Sequence, residues 1–516
     1  MPSESRGQAQ GVNFANIANV ERYHTALDSL ANADPRTLQH HGDQALAMVR
    51  ALADAGPELD APRSIADDAV WFDVLAMFIV QWPTSASLGL ALTALALIIG
   101  WTIRMRAWSS GLRGLAASLA AMVAAALGAV ALGGLLQTLG ALPVPWVAHP
   151  LPALLSLHGT CIAVGLAVAR LVAGRKASAQ ALWAGTWLTW AAIGVATAIL
   201  APGASFLFVV PALVAGLVAW LRIEVAAAIP ALVAGVVWLP IVLLVYDGVG
   251  FVVPVLACIS SVVLVSALPA LWIRNGKAEA DAERVARRRV AAGAAGVVAI
   301  CAVASVVAPR FSVAVPQRVN VVFRQDEPSD KGAPMARVYV EAAWAWVPWG
   351  KPPAAMVRAL GEPGRVRIEQ PWAWSSPVPA ADVPRITMQG PEATVLTSGP
   401  TPGAWDVRVR LRSVRGARTL ALLLPAGRVI DVVCEGRTAI PRRGAVVFRG
   451  VPAEGIELRL TAEGSRPIDL TVLDVTSGVP SADIAPTAHA VLEARPAEAV
   501  QTQEGDITIA TRQLQL

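Results

Sequence analysis

Residues 114–136 read Gly114-Leu-Ala-Ala-Ser-Leu-Ala-Ala-Met-Val-Ala-Ala-Ala-Leu-Gly-Ala-Val-Ala-Leu-Gly-Gly-Leu-Leu136. No charged side chain interrupts this run, and at about 1.5 Å rise per residue a helix of its length crosses the roughly 30 Å hydrocarbon core of a bilayer. The pattern recurs. Similar apolar runs occupy residues 84–103, 151–173, 180–200, 204–221, 225–246, 249–272 and 290–309, so the sequence predicts about eight membrane-spanning helices. Composition agrees: of 516 residues, 55% are hydrophobic and 15% charged, with a mean hydropathy of +0.54. That is too apolar for a soluble globular chain, and the lipid bilayer is the expected partner of the middle region.

Outside residues 84–309 the charge density is ordinary, which divides the chain into a short N-terminal piece, a helical bundle and a C-terminal region. The net charge of +5 does not point to nucleic acid, because the basic residues do not gather on one soluble face. They sit in alternate turns of the bundle. Arg104, Arg106 and Arg113 occupy one turn, Arg170, Arg175 and Lys176 another, Arg222 a third, and Arg274, Lys277 and Arg284 to Arg289 a fourth. The intervening turns near 137–150, 201–203 and 247–248 contain no Lys or Arg. Positive charge marks the cytoplasmic side, so an even number of spans places both flanks outside the cytoplasm, facing the periplasm or exterior if the membrane is a bacterial inner membrane.

The span interiors are short of ionisable groups. Arg170, Arg222, Glu224 and Asp247 all fall at span ends, which makes a transporter the weakest of the functional readings, since transport pathways keep such groups near the midplane. Gly111, Gly114, Gly128, Gly133 and Gly134 read as close helix packing, and Pro211, Pro230, Pro240 and Pro254 as packing or kinks. Between 70 and 83, Trp71-Phe72-Asp73 and Trp82-Pro83 bracket an apolar stretch too short to span. It reads as an interfacial linker over 61–83, where Trp is favoured.

From about residue 310 the character changes. Arg337–Glu341, Trp405–Leu411 and Ile456–Leu460 alternate apolar and polar residues, the period of half-buried strands, with Gly and Pro between them. An all-β, sandwich-like domain is expected over 310–516. Trp344, Trp346, Trp349, Trp372 and Trp374 form either a carbohydrate or peptide platform or a packed aromatic core. No nucleophile elbow, phosphate loop or CxxC pair occurs, and Cys161, Cys258, Cys301 and Cys434 give no disulfide framework. His149 and His158 read as interfacial, and His489 carries no signal.

The remaining chemistry lies in residues 1–60. Residues 12–19 read as a buried strand, followed by a polar loop holding Glu21, Tyr23, His24, Thr25 and Asp28. Asp34-Pro35 signals a helix start, and an amphipathic helix to about Ala53 is predicted with Leu38, Ala45, Leu46, Val49 and Leu52 inward. The block Glu21-Arg-Tyr-His-Thr25 to Asp28, then Leu38-Gln-His-His-Gly-Asp43, resembles the end of the catalytic domain of M28-family zinc metallopeptidases. It is similar to the membrane-bound branch that includes the endoplasmic reticulum metallopeptidases and fungal vacuolar membrane proteases. Trp71–Leu75, the multi-span region and Leu470–Pro480 extend the likeness over most of the chain.

The resemblance implies roles residue by residue. His24 matches the last ligand of a two-zinc site, and Tyr23 matches a tyrosine that helps to polarise the scissile carbonyl. The implied activity is metal-assisted hydrolysis of a peptide substrate, exopeptidase-like, with zinc as cofactor. The family's other ligands, a His-x-Asp motif, a bridging aspartate, a Glu-Glu pair and a further acidic residue, lie upstream of this block, where the sequence has only the residues before His24. The expectation is therefore a C-terminal portion with a truncated α/β peptidase remnant over 1–60, inactive alone, and without the apolar leader its outer placement needs. Glu21, His24, Asp28, His40 and His41 are the local candidates for a rebuilt metal site, with His40 and His41 read as surface or packing residues. The alternative reading is a non-catalytic membrane anchor with an extracytoplasmic binding domain. Nothing in the sequence fixes an oligomeric state.

Overall fold

The protein is described by a computed structural model covering residues 20–54, 68–75, 77–106, 108–142, 146–174, 178–221, 228–272, 281–327, 336–344, 347–348, 350–367, 377–425, 428, 430–442 and 444–516. The chain divides into two compact units. One contains Leu30–Arg310, and the other joins Glu21–Ser29 to Phe311–Leu516. Segments on either side of the apolar region therefore belong to one folded body.

The first unit opens with helix α1 (Pro35–Asp54), close to the predicted range. Asp34 starts it: its carboxylate accepts from the Arg36 amide at 2.9 Å and pairs with the Arg36 guanidinium at 2.7 Å, satisfying a donor that the first turn leaves open. Pro35 follows at a position where its missing N–H costs nothing. The predicted inward face differs. Leu38, Leu46, Val49 and Leu52 are exposed, and no residue of α1 is buried. Helical spacing fixes which residues share a face, but not that a described element covers it.

The stretch read as an interfacial linker contains an antiparallel hairpin, β1 (Ala69–Val74) and β2 (Phe78–Pro83). Among the described residues eight helices then follow: α2 (Ala86–Arg104), α3 (Trp108–Thr138), α4 (Pro150–Ala173), α5 (Ala179–Leu200), α6 (Phe206–Leu221), α7 (Ile229–Val249), α8 (Val253–Trp272) and α9 (Asp281–Val307). Five of them, α2, α3, α4, α5 and α7, are long and apolar enough to cross a membrane. The described apolar parts of the others, Phe206–Leu221, Val253–Pro269 and Ala292–Val307, are shorter.

Two devices hold this unit together. The first is close backbone approach. A Cβ on Gly114 would stand 1.9 Å from the Ala181 carbonyl oxygen, and one on Gly185 would stand 2.0 Å from the Gly114 carbonyl carbon, so α3 and α5 cross with main chains in contact. A Cβ on Gly133 would likewise meet Val253 at 2.3 Å, whereas Gly134 has open space beside it. The second device is an aromatic core. Trp183, Trp187 and Trp190 recur at i, i+4 and i+7 on α5, and all three are buried. Trp190 meets Phe208 at 5.4 Å between ring centroids, and Phe208 meets Trp238 at 5.4 Å. Pro211 and Pro240 lie inside helices, whereas Pro230 and Pro254 fall in first turns and open their helices rather than kink them.

The second unit is β-rich. In chain order its strands are β3 (Gln317–Arg318), β4 (Asn320–Gln325), β5 (Ala336–Glu341), β6 (Ala343–Trp344), β7 (Val347–Pro348), β8 (Gly364–Arg367), β9 (Pro377–Val383), β10 (Glu392–Thr401) and β11 (Ala404–Arg412). They continue with β12 (Thr419–Leu423), β13 (Ile430–Cys434), β14 (Arg437–Ala439), β15 (Ala445–Arg449), β16 (Ile456–Glu463), β17 (Asp469–Ser477), β18 (Ala499–Val500) and β19 (Ile507–Gln515). A five-stranded sheet has the order β10-β11-β16-β13-β14, and an eight-stranded sheet the order β15-β12-β17-β19-β4-β5-β9-β8. Strand pairing in both is antiparallel except for β19 with β4, which run parallel.

Val407, Val409, Leu411, Leu458 and Leu460 of the smaller sheet share a core with Leu420, Leu422 and Val472 of the larger. There the two sheets pack face to face, as the alternating β11 and β16 sequences predicted. The unit is not all β. Helices α10 (Ala354–Ala359) and α11 (Pro486–Glu493) supply Met356, Ala488 and Val491 to a second core with Val321, Phe323, Val338 and Val340. Of the tryptophan cluster, Trp346, Trp349, Trp372 and Trp374 and the side chain of Trp344 lie outside the described residues.

Candidate functional site

Glu21–Ser29 folds as consecutive turns pinned from within. The Thr25 hydroxyl donates to the Arg22 carbonyl at 2.6 Å and accepts from the Leu27 amide at 3.1 Å. The amides of Thr25 and Asp28 bond back to the carbonyls of Arg22 and Thr25. These bonds hold His24 at φ 58°, in the left-handed region. A non-glycine residue there is uncommon, and the surrounding bonds offset its cost. The Tyr23 and His24 rings stack at 3.6 Å between centroids, and Tyr23 is half exposed.

Residues hundreds of positions away in sequence fix this turn. Thr25 is buried and forms an isolated antiparallel bridge with Thr502. Thr502 is itself locked: its hydroxyl accepts from the Asn320 side-chain amide at 2.8 Å, and its own amide donates to the Asn320 side-chain oxygen at 3.0 Å. Arg318 is fully buried and donates to the Glu21 carbonyl at 3.4 Å. Burial pulls the Arg318 guanidinium down to about 10, and the Glu21 carboxylate partly offsets that.

Below them, Asp506 accepts from the Val321 amide at 2.7 Å and from the Arg495 guanidinium, tying β4 to the loop that follows α11. Burial, followed by the charge of Glu504, pushes the Glu341 carboxyl up to about 7. Glu504 itself pairs with Arg449 at 3.5 Å. Asn320 and Glu341 stand opposite each other across β4 and β5.

Tyr23 and His24 are thus brought together and presented on the β-rich unit. The other local candidates are arranged differently. The Asp28 carboxylate accepts from the His24 backbone amide at 3.3 Å, so it is turned to the main chain. His40 belongs to α1 of the other unit, where its ring bonds the Gln44 side chain at 3.1 Å. The segment read as a strand, residues 12–19, lies outside the described residues. A tetrahedral zinc site needs three or four N, O or S donors converging at about 2.0–2.3 Å. Among the described residues no group of three His, Cys, Asp or Glu side chains gathers in that way. The described donors around His24 therefore do not by themselves fit zinc, and no catalytic step is routed through one.

His158, read as interfacial, faces α8: the Ser260 hydroxyl lies 2.8 Å from its Nδ1. The hydroxyl also donates to the Leu256 carbonyl at 2.7 Å. No protein-family model, no curated protein and no solved structure matches the chain.

Proposed function

We propose that the chain is the membrane-embedded portion of a zinc metallopeptidase resembling the M28 family, hydrolysing peptide bonds on the non-cytoplasmic side. The observation that carries this reading is the Tyr23–His24 turn. It holds the two residues that match the family's catalytic tyrosine and last zinc ligand, with His24 in a costly backbone conformation, and buried Arg318 and Thr502 hold it in place. Complete metal coordination draws on ligands beyond those gathered among the described residues.

The membrane arrangement follows from the same turn. The grouping of Glu21–Ser29 with Phe311–Leu516 in one unit supports a chain that leaves and returns on one face of the bilayer, with an even number of crossings. Five long helices do not satisfy that parity. Adding the three shorter apolar helices gives eight spans, and the arginine-rich turns then lie in the cytoplasm. The membrane is a bacterial inner membrane in this reading, with the β-rich unit in the periplasm. Thiol labelling of single cysteines in intact cells checks it: Ser178→Cys should be shielded from an impermeant reagent, and Thr394→Cys should be labelled.

The peptidase reading is tested with the natural protein in its native membrane, using aminoacyl nitroanilides as substrates. His24→Ala should lower zinc-dependent turnover at least about 100-fold while leaving the amount of folded chain unchanged. Equal turnover in wild type and variant would overturn it. A second reading, a non-catalytic anchor whose β-rich unit binds a peptide, glycan or protein, is favoured by the absence of a three-donor group among the described residues. Stoichiometric zinc in the native protein would remove that alternative.

A further inference from the structure

The β1–β2 hairpin is fixed at one end and apolar at the other. On its inner face Val70 and Phe72 are buried, and the Phe72 ring stacks on Phe206 at 4.6 Å with 4° between planes. The Trp82 indole N–H donates to the Ser87 hydroxyl at 3.0 Å, and the Thr84 amide bonds the Asp68 carbonyl at 2.8 Å. The hairpin therefore crosses from the start of α2 to the start of α6.

At the tip the chemistry reverses. Leu75, Met77, Phe78 and Ile79 are 53%, 78%, 56% and 67% exposed. Leu75 stands at φ 51°, a turn position that Gly, Asn or Asp fills at little cost. A Leu there costs about 1–2 kcal/mol of backbone energy, and its side chain gains nothing in water. Strain and exposure together indicate that the tip is not solvated by water.

We infer that the tip is a lipid wedge, seated among the acyl chains and headgroups of the leaflet in which α2 and α6 begin. Lipid is favoured over a protein partner because α2 is one of the long apolar helices, and its exposed Leu88 and Leu92 continue the apolar surface down into the bilayer from the same end. The open edges of a two-stranded sheet forbid deep insertion, since their unpaired N–H and C=O groups need water. Asp73 stands opposite Ile79 and Gln81 opposite Trp71, so these two pairs belong at headgroup depth, with Leu75, Met77 and Phe78 beyond them.

The test uses the full chain in phosphatidylcholine nanodiscs. An environment-sensitive fluorophore is attached at Met77→Cys or Ile79→Cys after the four native cysteines are changed to Ala. Lipids carrying a shallow nitroxide should remove at least about half of the fluorescence, and aqueous iodide should have little effect. The same probe at Thr394→Cys should show the opposite pattern. Free access of iodide to the tip would overturn the inference, and so would protection from both quenchers, which would mean that protein covers the tip. Photolabelling of the unsubstituted chain by a lipid-borne diazirine gives a readout independent of the variants. Adducts on Met77, Phe78 or Ile79 support the wedge, and their absence while Leu88 or Leu92 is labelled refutes it.

Discussion

The two units solve the same packing problem with opposite chemistry. In the helical unit the contacts are between backbones brought close by glycine and between indole rings, and no buried ion pair occurs there among the described residues. In the β-rich unit the strand ladders enclose charge: Asp474 is fully buried against Arg415 and Ser413, and Asp506 against Arg495. Lipid offers no hydrophobic drive for helices to associate, so steric fit must supply it. Water does drive the β-rich unit together, and the buried charges then fix which strands meet.

The sharpest way to break this contrast is at the α3–α5 crossing. Gly114→Leu puts a side chain where the Ala181 carbonyl already stands, and we expect loss of folded, monodisperse protein in detergent. Gly134→Ala, with open space beside it, should have no such effect. Next in size is Asp474→Ala, which strands the Arg415 charge and should lower the stability of the β-rich unit by about 3–5 kcal/mol. Calorimetry would check this, with the helical transition unmoved.

Arg318→Met tests the tether of the N-terminal turn. It should leave the sheets folded but expose residues 21–29 to limited proteolysis at Arg22, detected by mass spectrometry. The smallest expected effect is a pH slope. Glu341 binds its proton more tightly folded, with its value raised from 4.5 to about 7. Its contribution to stability is therefore complete below about 4.5 and is lost as pH rises through 7. The β-rich unit should melt lower at pH 8 than at pH 5, and Glu341→Gln should flatten that dependence.

How far the sequence could be read followed the range of the interactions. The apolar runs, the Asp34-Pro35 helix start and the alternation in β11 and β16 are local patterns, and each appears where its period placed it. Strand pairing in residues 69–83 is not legible because the turn lacks Gly or Asn: Leu75 occupies the left-handed position and hides the usual signal. In β5, Val338, Tyr339 and Val340 are buried on both faces, so its alternation spoke only for part of the strand. Tyr23 and His24 were visible through resemblance alone. Nothing near them announced Arg318, Asn320 or Thr502, because a partner hundreds of residues away leaves no periodic trace.

Strand β19 lies between β17 and β4 in the middle of the eight-stranded sheet, although it follows every other described strand in the chain. During synthesis the halves of that sheet have no shared edge until β19 arrives, and Thr502, just ahead of it, is what captures the Thr25 turn. Closure of the eight-stranded sheet is thus a late event. A ribosome that stalls before residue 502 would leave the Thr25 turn without its Thr502 partner, so any activity dependent on that turn would await translation past residue 502.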